Sequence, residues 1–105
     1  MFIKTFIVNL NKAKFLTPIL INRTLLLEVK PSQGNSYFVK LTSNGAEMIE
    51  APLSKVDFVL EGEVIDLEEV LLEKVSLKQL ISFGKIKVKG SYRDFLKLEA
   101  IIKLS

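Results

Sequence analysis

The stretch that decides the fold is FGKIKVKG, which runs from Phe83 to Gly90. Two glycines enclose a segment in which apolar and basic residues alternate strictly, and this period of two predicts a β-strand. Ile86 and Val88 would then face the interior of the protein. The opposite side would carry three lysines, namely Lys85, Lys87 and Lys89.

Helix signals lie on both sides of this strand. Asp66, Ser76 and Ser91 each stand three residues before an acid or a glutamine, which is the spacing of a capping box. These boxes predict helices that begin near residues 67, 77 and 92. Gly84 is placed to end the second helix, and the last helix is predicted to run from about Tyr92 to Leu104.

Strand signals dominate the chain before residue 62. Alternation predicts strands from Leu25 to Lys30, from Tyr37 to about Thr42, and from Val56 to about Gly62. Asn44-Gly45 is typical of a two-residue type I′ hairpin, which would pair Leu41 with Met48. Before the strands, apolar residues at helical spacing predict an amphipathic helix over residues 2–13.

The order of these elements predicts the fold class. A helix, four strands, two short helices, a strand and a final helix indicate an α+β domain with helices packed on one face of a sheet. The length of 105 residues fits a single domain, residues 1–105.

Composition excludes several kinds of chemistry. The chain contains no cysteine and no histidine, so disulfides, thiolate nucleophiles and the Ser-His-Asp triad are excluded. We expect no enzymatic activity, no cofactor and no metal site. The acidic residues Glu61, Glu63, Asp66, Glu68, Glu69 and Glu73 lack the spacing of an EF-hand loop. We interpret them as the solvent-exposed face of a strand and as acidic residues near helix N-termini, where the helix dipole favours them.

Hydropathy points towards an apolar ligand or partner. Hydrophobic residues make up 49% of the chain, and the mean hydropathy of +0.32 is high for so short a soluble chain. A domain of this size has little interior, so part of the surplus would face a pocket, a partner or a lipid. No apolar run approaches the ~20 residues that span a bilayer, and a cytoplasmic location is expected.

The segment from Asp57 to Leu104 resembles the sterol carrier protein type 2 family of lipid-transfer domains. Its most specific piece is the strand between Phe83 and Gly90, and the upstream hairpin from about Leu25 to Glu50 fits the same layout. The resemblance covers residues 25–104, preceded by a helical segment over residues 1–20. It implies a five-stranded mixed or antiparallel sheet covered by helices on one face, with an apolar tunnel between the two layers. It also implies binding of fatty acids, acyl-CoA or sterols without a catalytic residue.

The resemblance also implies a site. The expected ligand-lining residues are Phe58, Leu60, Leu71, Leu80, Phe83, Ile86, Val88, Phe95, Leu98 and Ile102; the alternative is that they form an ordinary core. The three lysines of the decisive stretch could contact an anionic headgroup or the phosphates of acyl-CoA, or lie on a solvated edge. Peripheral membrane contact and a homodimer remain open. Nucleic acid is disfavoured, because no aromatic residue is interleaved with the lysines to stack bases.

The free-energy cost of an empty cavity limits the forms that such a tunnel can take. A useful pocket occupies roughly 300 Å³, and leaving it empty would cost about 7 kcal/mol at ~24 cal/mol per Å³. Total stability is typically only about 5–15 kcal/mol. We therefore expect the space to be filled by lipid, hydrated at a polar mouth, or collapsed without ligand. The alternative function is a protein-interaction or oligomerisation domain with a closed core.

Overall fold

The computed structural model describes residues 2–13, 19–21, 23–52, 54–73 and 75–104. The elements along the chain are α1 (Phe2–Ala13), β1 (Leu25–Pro31), β2 (Tyr37–Thr42), β3 (Gly45–Ile49), β4 (Phe58–Gly62), α2 (Val64–Leu71), α3 (Leu77–Ser82), β5 (Ile86–Gly90) and α4 (Tyr92–Leu104). The predicted helix over residues 2–13 is confirmed. Residues 14–18, which belong to the predicted N-terminal helical segment, lie outside the described residues.

The five strands form one mixed sheet in the order β3-β2-β1-β4-β5. Strands β1 and β4 are parallel, and the other neighbouring strands are antiparallel. The decisive stretch is the edge strand β5, which pairs with β4 so that Val88 lies opposite Leu60. The predicted α+β class and the five-stranded mixed sheet are confirmed.

Alternating burial shows which face of the sheet the helices cover. In β1, Leu25, Leu27 and Val29 are fully buried, whereas Leu26 and Glu28 between them are only half-buried. We call the buried side the inner face and the other side the outer face. Residues of the inner face and of helices α1 to α4 form one hydrophobic cluster, as expected for a sheet with a single covered face.

Two of the three predicted capping residues accept a hydrogen bond at the start of their helix. The Ser76 hydroxyl accepts a hydrogen bond from the Gln79 N–H at 3.3 Å, and the Ser91 hydroxyl accepts one from the Asp94 N–H at 3.1 Å. The prediction for Asp66 is wrong. The Leu67 N–H donates to the Glu63 carbonyl at 3.0 Å, which closes the first turn of α2 three residues earlier with no side-chain cap.

Gly84 ends α3 as predicted. Its φ is +73°, its N–H donates to the Ile81 carbonyl at 3.0 Å, and the Lys85 N–H donates to the Leu80 carbonyl at 2.9 Å. These two bonds define a Schellman motif. The motif reverses the chain direction and leads directly into β5.

The predicted hairpin is present, but its predicted register is wrong. Leu41 pairs with Ala46 and not with Met48, so the two loop residues are Ser43 and Asn44.

Within the described ranges, no helix combines the length and the apolarity needed to cross a bilayer.

Helix α1 accounts for this register. The Asn11 side chain donates to the Ala46 carbonyl at 3.0 Å and accepts from the Ala46 N–H at 2.8 Å. A Cβ at Gly45 would lie 2.6 Å from Asn11 Oδ1. The glycine that we assigned to the turn therefore stands at the start of β3, where it makes room for the helix.

Candidate functional site

Nine of the ten expected lining residues lie in one apolar layer between the sheet and the helices. The inner face supplies Phe58, Leu60, Ile86 and Val88, and the helices supply Leu71, Leu80, Phe95, Leu98 and Ile102. Eight of them are buried, and Val88 is partly buried against the others. We call this set the interlayer cluster. None of its side chains carries a charge or a hydrogen-bonding group, so it can hold only an apolar group.

Phe83 does not belong to the interlayer cluster. It occupies the position after the last turn of α3, and its side chain is 61% exposed. A lining role for Phe83 therefore has no support in the geometry. Two other aromatic residues of the expected site do lie inside. The rings of Phe58 and Phe95 are 6.3 Å apart between centroids, and they join β4 to α4.

Gly90 permits this contact between the sheet and α4. A Cβ at Gly90 would overlap the Phe58 ring and lie 2.8 Å from the Asp57 carbonyl oxygen. Its φ is +152°, a value that L-residues rarely adopt. The glycine at the end of the decisive stretch thus lets the Phe58 ring reach the interlayer cluster.

The interlayer cluster is closed by its own side chains. Leu60, Leu71 and Leu98 have no exposed surface. An apolar ligand would have to separate the layers or displace side chains to enter. Among the described residues, this packing is what both a tunnel collapsed without ligand and the alternative of an ordinary core would give.

An ion pair holds the N-terminal end of α4. Two oxygens of Asp94 accept from Arg23 Nη2 at 2.8 and 2.7 Å, and the Asp94 carboxylate is buried. Asp57 lies 3.8 Å from the same guanidinium nitrogen, and its other oxygen accepts from the Leu26 N–H at 2.8 Å. The sequence pattern places Asp94 only in a capping box, because no local pattern links it to a residue 71 positions away.

The outer face carries the lysines that we considered for headgroup binding. Lys87 lies opposite Glu61 and Lys89 opposite Val59 in the β4–β5 register, and both lysines are exposed. Outer-face residues of β1, β4 and β5 also line an open cavity of about 670 Å³. The structure does not bring Lys87 and Lys89 together with the interlayer cluster, which lies on the other side of the sheet.

The acidic residues between 61 and 73 do not gather into a site. Among the residues that the structure describes, no group of three or more Asp, Glu, His or Cys side chains is arranged to hold a metal ion. Asp66 lies buried in the first turn of α2, where the helix dipole favours a carboxylate.

Comparisons with known proteins agree with this architecture. A family model described as the SCP-2 sterol transfer family matches residues 9–103. The SCP2 domain-containing protein YusD of Bacillus subtilis is 33% identical over 91 residues, which cover 87% of this chain and 79% of YusD.

Solved structures show the same fold. The sterol carrier protein-2 like-3 of Aedes aegypti superimposes with a TM-score of 0.65 and 23% identity over 97% of both chains. A solution structure of palmitated SCP2L2 from Aedes aegypti has a TM-score of 0.57 and 18% identity, and the match covers 92% of this chain and 91% of that one. The chain belongs to the SCP-2 sterol transfer family.

Proposed function

We propose that this protein binds one lipid acyl chain between the sheet and the helices and passes it on without catalysis. The observation that carries the proposal is the interlayer cluster, in which nine uncharged side chains from two layers converge. The family is described as one of sterol transfer, and a structural relative is described as palmitated. A fatty acid is the simplest ligand of this class. The proposed site of action is the cytoplasm.

Energetics explain how a closed cluster can accept a ligand. An empty pocket of roughly 300 Å³ would cost about 7 kcal/mol, so side chains fill the space when no lipid is bound. An entering acyl chain gains about 0.8 kcal/mol for each buried CH₂ group. A chain of a dozen or more carbons can therefore offset the separation of the two layers.

We infer that α4 is the gate. It contributes Phe95, Leu98 and Ile102 to the interlayer cluster, whereas α2 and α3 contribute one residue each. The Arg23–Asp94 pair holds its N-terminal end. In the proposed motion the C-terminal part of α4 moves away from the sheet while this ion pair serves as the hinge.

NMR spectroscopy with methyl-labelled protein and ¹³C-labelled palmitate tests the location of the ligand. We expect nuclear Overhauser effects from the acyl chain to the methyl groups of Leu60, Ile86 and Leu98, which belong to the interlayer cluster. Leu26 and Val59 are the matched control, because they lie on the outer face of the same sheet. Contacts confined to these two methyl-bearing residues would move the site to the outer cavity.

A further inference from the structure

Strand β5 forms one edge of the sheet, with β4 as its neighbour in the strand order. In an antiparallel pair, every second residue of an edge strand directs its N–H and C=O away from the partner strand. Within the described ranges, no backbone hydrogen bond joins Lys87, Val88 or Lys89 to a segment other than β4. The free side of β5 therefore offers backbone donors and acceptors along about 17 Å of extended chain.

The opposite edge strand, β3, has a protected position. The Asn11 side chain donates to the Ala46 carbonyl at 3.0 Å and accepts from the Ala46 N–H at 2.8 Å. It thus occupies both backbone groups of an edge residue, as a neighbouring strand would. No described residue does the same for the centre of β5. Of the two edges, β5 is therefore the one open to a further strand.

The side chains of β5 indicate what kind of strand fits there. Lys87 and Lys89 are exposed on the outer face, and Val88 between them belongs to the interlayer cluster and is half-buried. Among the described residues, Arg23 is the cation of each ion pair, so both lysines lack an acidic partner there. Lysines at an edge disfavour pairing with an apolar or basic strand, whereas an acid directly opposite each lysine is favourable.

We propose that β5 binds an extended segment of a partner protein in which acidic and apolar residues alternate, and that this segment adds a sixth strand to the sheet. The alternation follows from the pleat of a strand. Every second side chain of the added strand would lie opposite Lys87 and Lys89, and the side chains between them would extend the apolar layer beside Val88. Backbone hydrogen bonds would supply affinity, and the side chains would supply specificity.

Two other occupants fit this edge less well. A second copy that pairs through its own β5 would bring lysines of both copies together, and like charges opposite each other are unfavourable. A free anion in the open cavity of about 670 Å³ would meet Glu28 and Glu61, which line the cavity together with the lysines. A strand added beyond β5 would lie next to the lysines of β5 and away from these two acids.

Fluorescence anisotropy with labelled peptides tests the proposal. We expect the unmodified protein to bind the acetylated peptide EVEVEVE, and to bind KVKVKVK and EEEEVVV at least tenfold more weakly. The peptide EEEEVVV has the composition of EVEVEVE without its alternation, so it controls for net charge. Equal binding of these two acidic peptides, or no binding of EVEVEVE, would overturn the proposal.

Variants of the protein test the contribution of the lysines. K87Q/K89Q should weaken the binding of EVEVEVE about 5- to 25-fold, at no more than about fivefold for each cross-strand pair of opposite charges. K30Q/K55Q is the matched control, because both lysines line the same open cavity but lie outside β5. It should bind the peptide as the unmodified protein does. Equal losses in both variants would place the peptide in the open cavity and exclude an added strand.

Backbone pairing has a readout of its own. Two versions of EVEVEVE carry N-methyl groups either on the glutamates or on the valines, and in a strand paired along one edge only one of these two sets of N–H groups faces β5. One version should therefore lose binding while the other keeps it. Saturating EVEVEVE should also slow hydrogen exchange at alternate amides of β5. Equal binding of both versions, or unchanged exchange in β5, would contradict strand addition.

Two further measurements separate this inference from the proposed function and from self-association. K87Q/K89Q should bind fatty acid as the unmodified protein does, so a failure of peptide binding alone would leave the proposed function intact. Light scattering after size exclusion should show the mass of a monomer. If the unmodified protein forms dimers or polymers and K87Q/K89Q does not, β5 is an interface between copies of this chain and the partner segment is wrong.

Discussion

At the scale of single residues, the absence of a side chain at Gly90 lets the sheet and α4 meet. We expect Gly90→Ala to lower the free energy of unfolding by about 2–3 kcal/mol, because the new Cβ would overlap the Phe58 ring and crowd the Asp57 carbonyl. Chemical denaturation monitored by circular dichroism measures this change. The melting temperature should fall by roughly 4–8 °C for each kcal/mol lost.

Gly34→Ala is the matched control for that substitution. Gly34 also has a positive φ, +99°, but nothing lies within 4 Å of a Cβ placed there. Its replacement therefore introduces backbone strain without overlap. If the two substitutions lower the stability equally, the contact of Gly90 with Phe58 has no role in the stability of the interlayer cluster.

Asp94 links the hinge of α4 to ligand exchange. Asp94→Asn removes the charge that binds Arg23, and we expect the free energy of unfolding to fall by about 1–3 kcal/mol. If α4 is the gate, a fluorescent fatty acid should also dissociate severalfold faster in stopped-flow measurements. A double-mutant cycle with Arg23→Met isolates the coupling between the two side chains. An unchanged dissociation rate would contradict the hinge.

Residue roles were predictable from the sequence only when they depend on neighbours in the chain. The hydroxyls of Ser76 and Ser91 bond three residues ahead, so the capping boxes identified them. Asp94 lies in the same kind of box, yet its carboxylate binds a residue 71 positions away. Phe83 lies outside the interlayer cluster with an exposed side chain.

At the scale of elements, Asn11 connects α1 to β3. Asn11→Ala removes both hydrogen bonds to Ala46, and we expect a loss of about 1–2 kcal/mol in the free energy of unfolding. Hydrogen exchange of α1 amides should accelerate, whereas the dissociation rate of a bound fatty acid should stay the same. Lys12→Ala, an exposed neighbour on the same helix, is the control and should change neither quantity.

The same contact explains what the sequence could not predict about the hairpin. Alternation located both strands, because one face of each is buried and side chains alternate with a period of two. The choice between a loop at residues 43–44 and one at residues 44–45 involves Asn11, which is 35 residues away from Ala46.

Faster fatty-acid release in Asn11→Ala than in Asp94→Asn would contradict the assignment of α4 as the gate and would identify α1 as the gate.

At the scale of the whole molecule, the charged residues of the sheet lie on one face, where they alternate with some apolar residues, and the other face is apolar. The inner face and the helices form the interlayer cluster, while the outer face carries the half-buried Glu61 and the exposed Lys87 and Lys89. Period-two alternation predicted this division. Sequence patterns did not predict that the layers close completely over Leu60 and Leu98, since closure depends on how side chains from distant segments fit together.

Because the interlayer cluster is closed, shortening one of its side chains should create a void that a ligand can fill. Leu98→Ala should destabilise the free protein by about 2–5 kcal/mol, because it leaves a void in a fully buried layer. If the acyl chain lies beside Leu98, palmitate should fill that void. The gain in melting temperature on adding saturating palmitate should then be larger for Leu98→Ala than for the unmodified protein, as measured by differential scanning fluorimetry.

Leu41→Ala is the control that makes this comparison specific. Leu41 is equally buried on the same inner face. It lies on β2, however, which is separated from β5 by β1 and β4. Its truncation should cost as much stability, yet it should leave the palmitate-induced gain unchanged, because a ligand stabilises only through its affinity for the folded state. Equal gains in both variants would mean that palmitate does not reach the interlayer cluster.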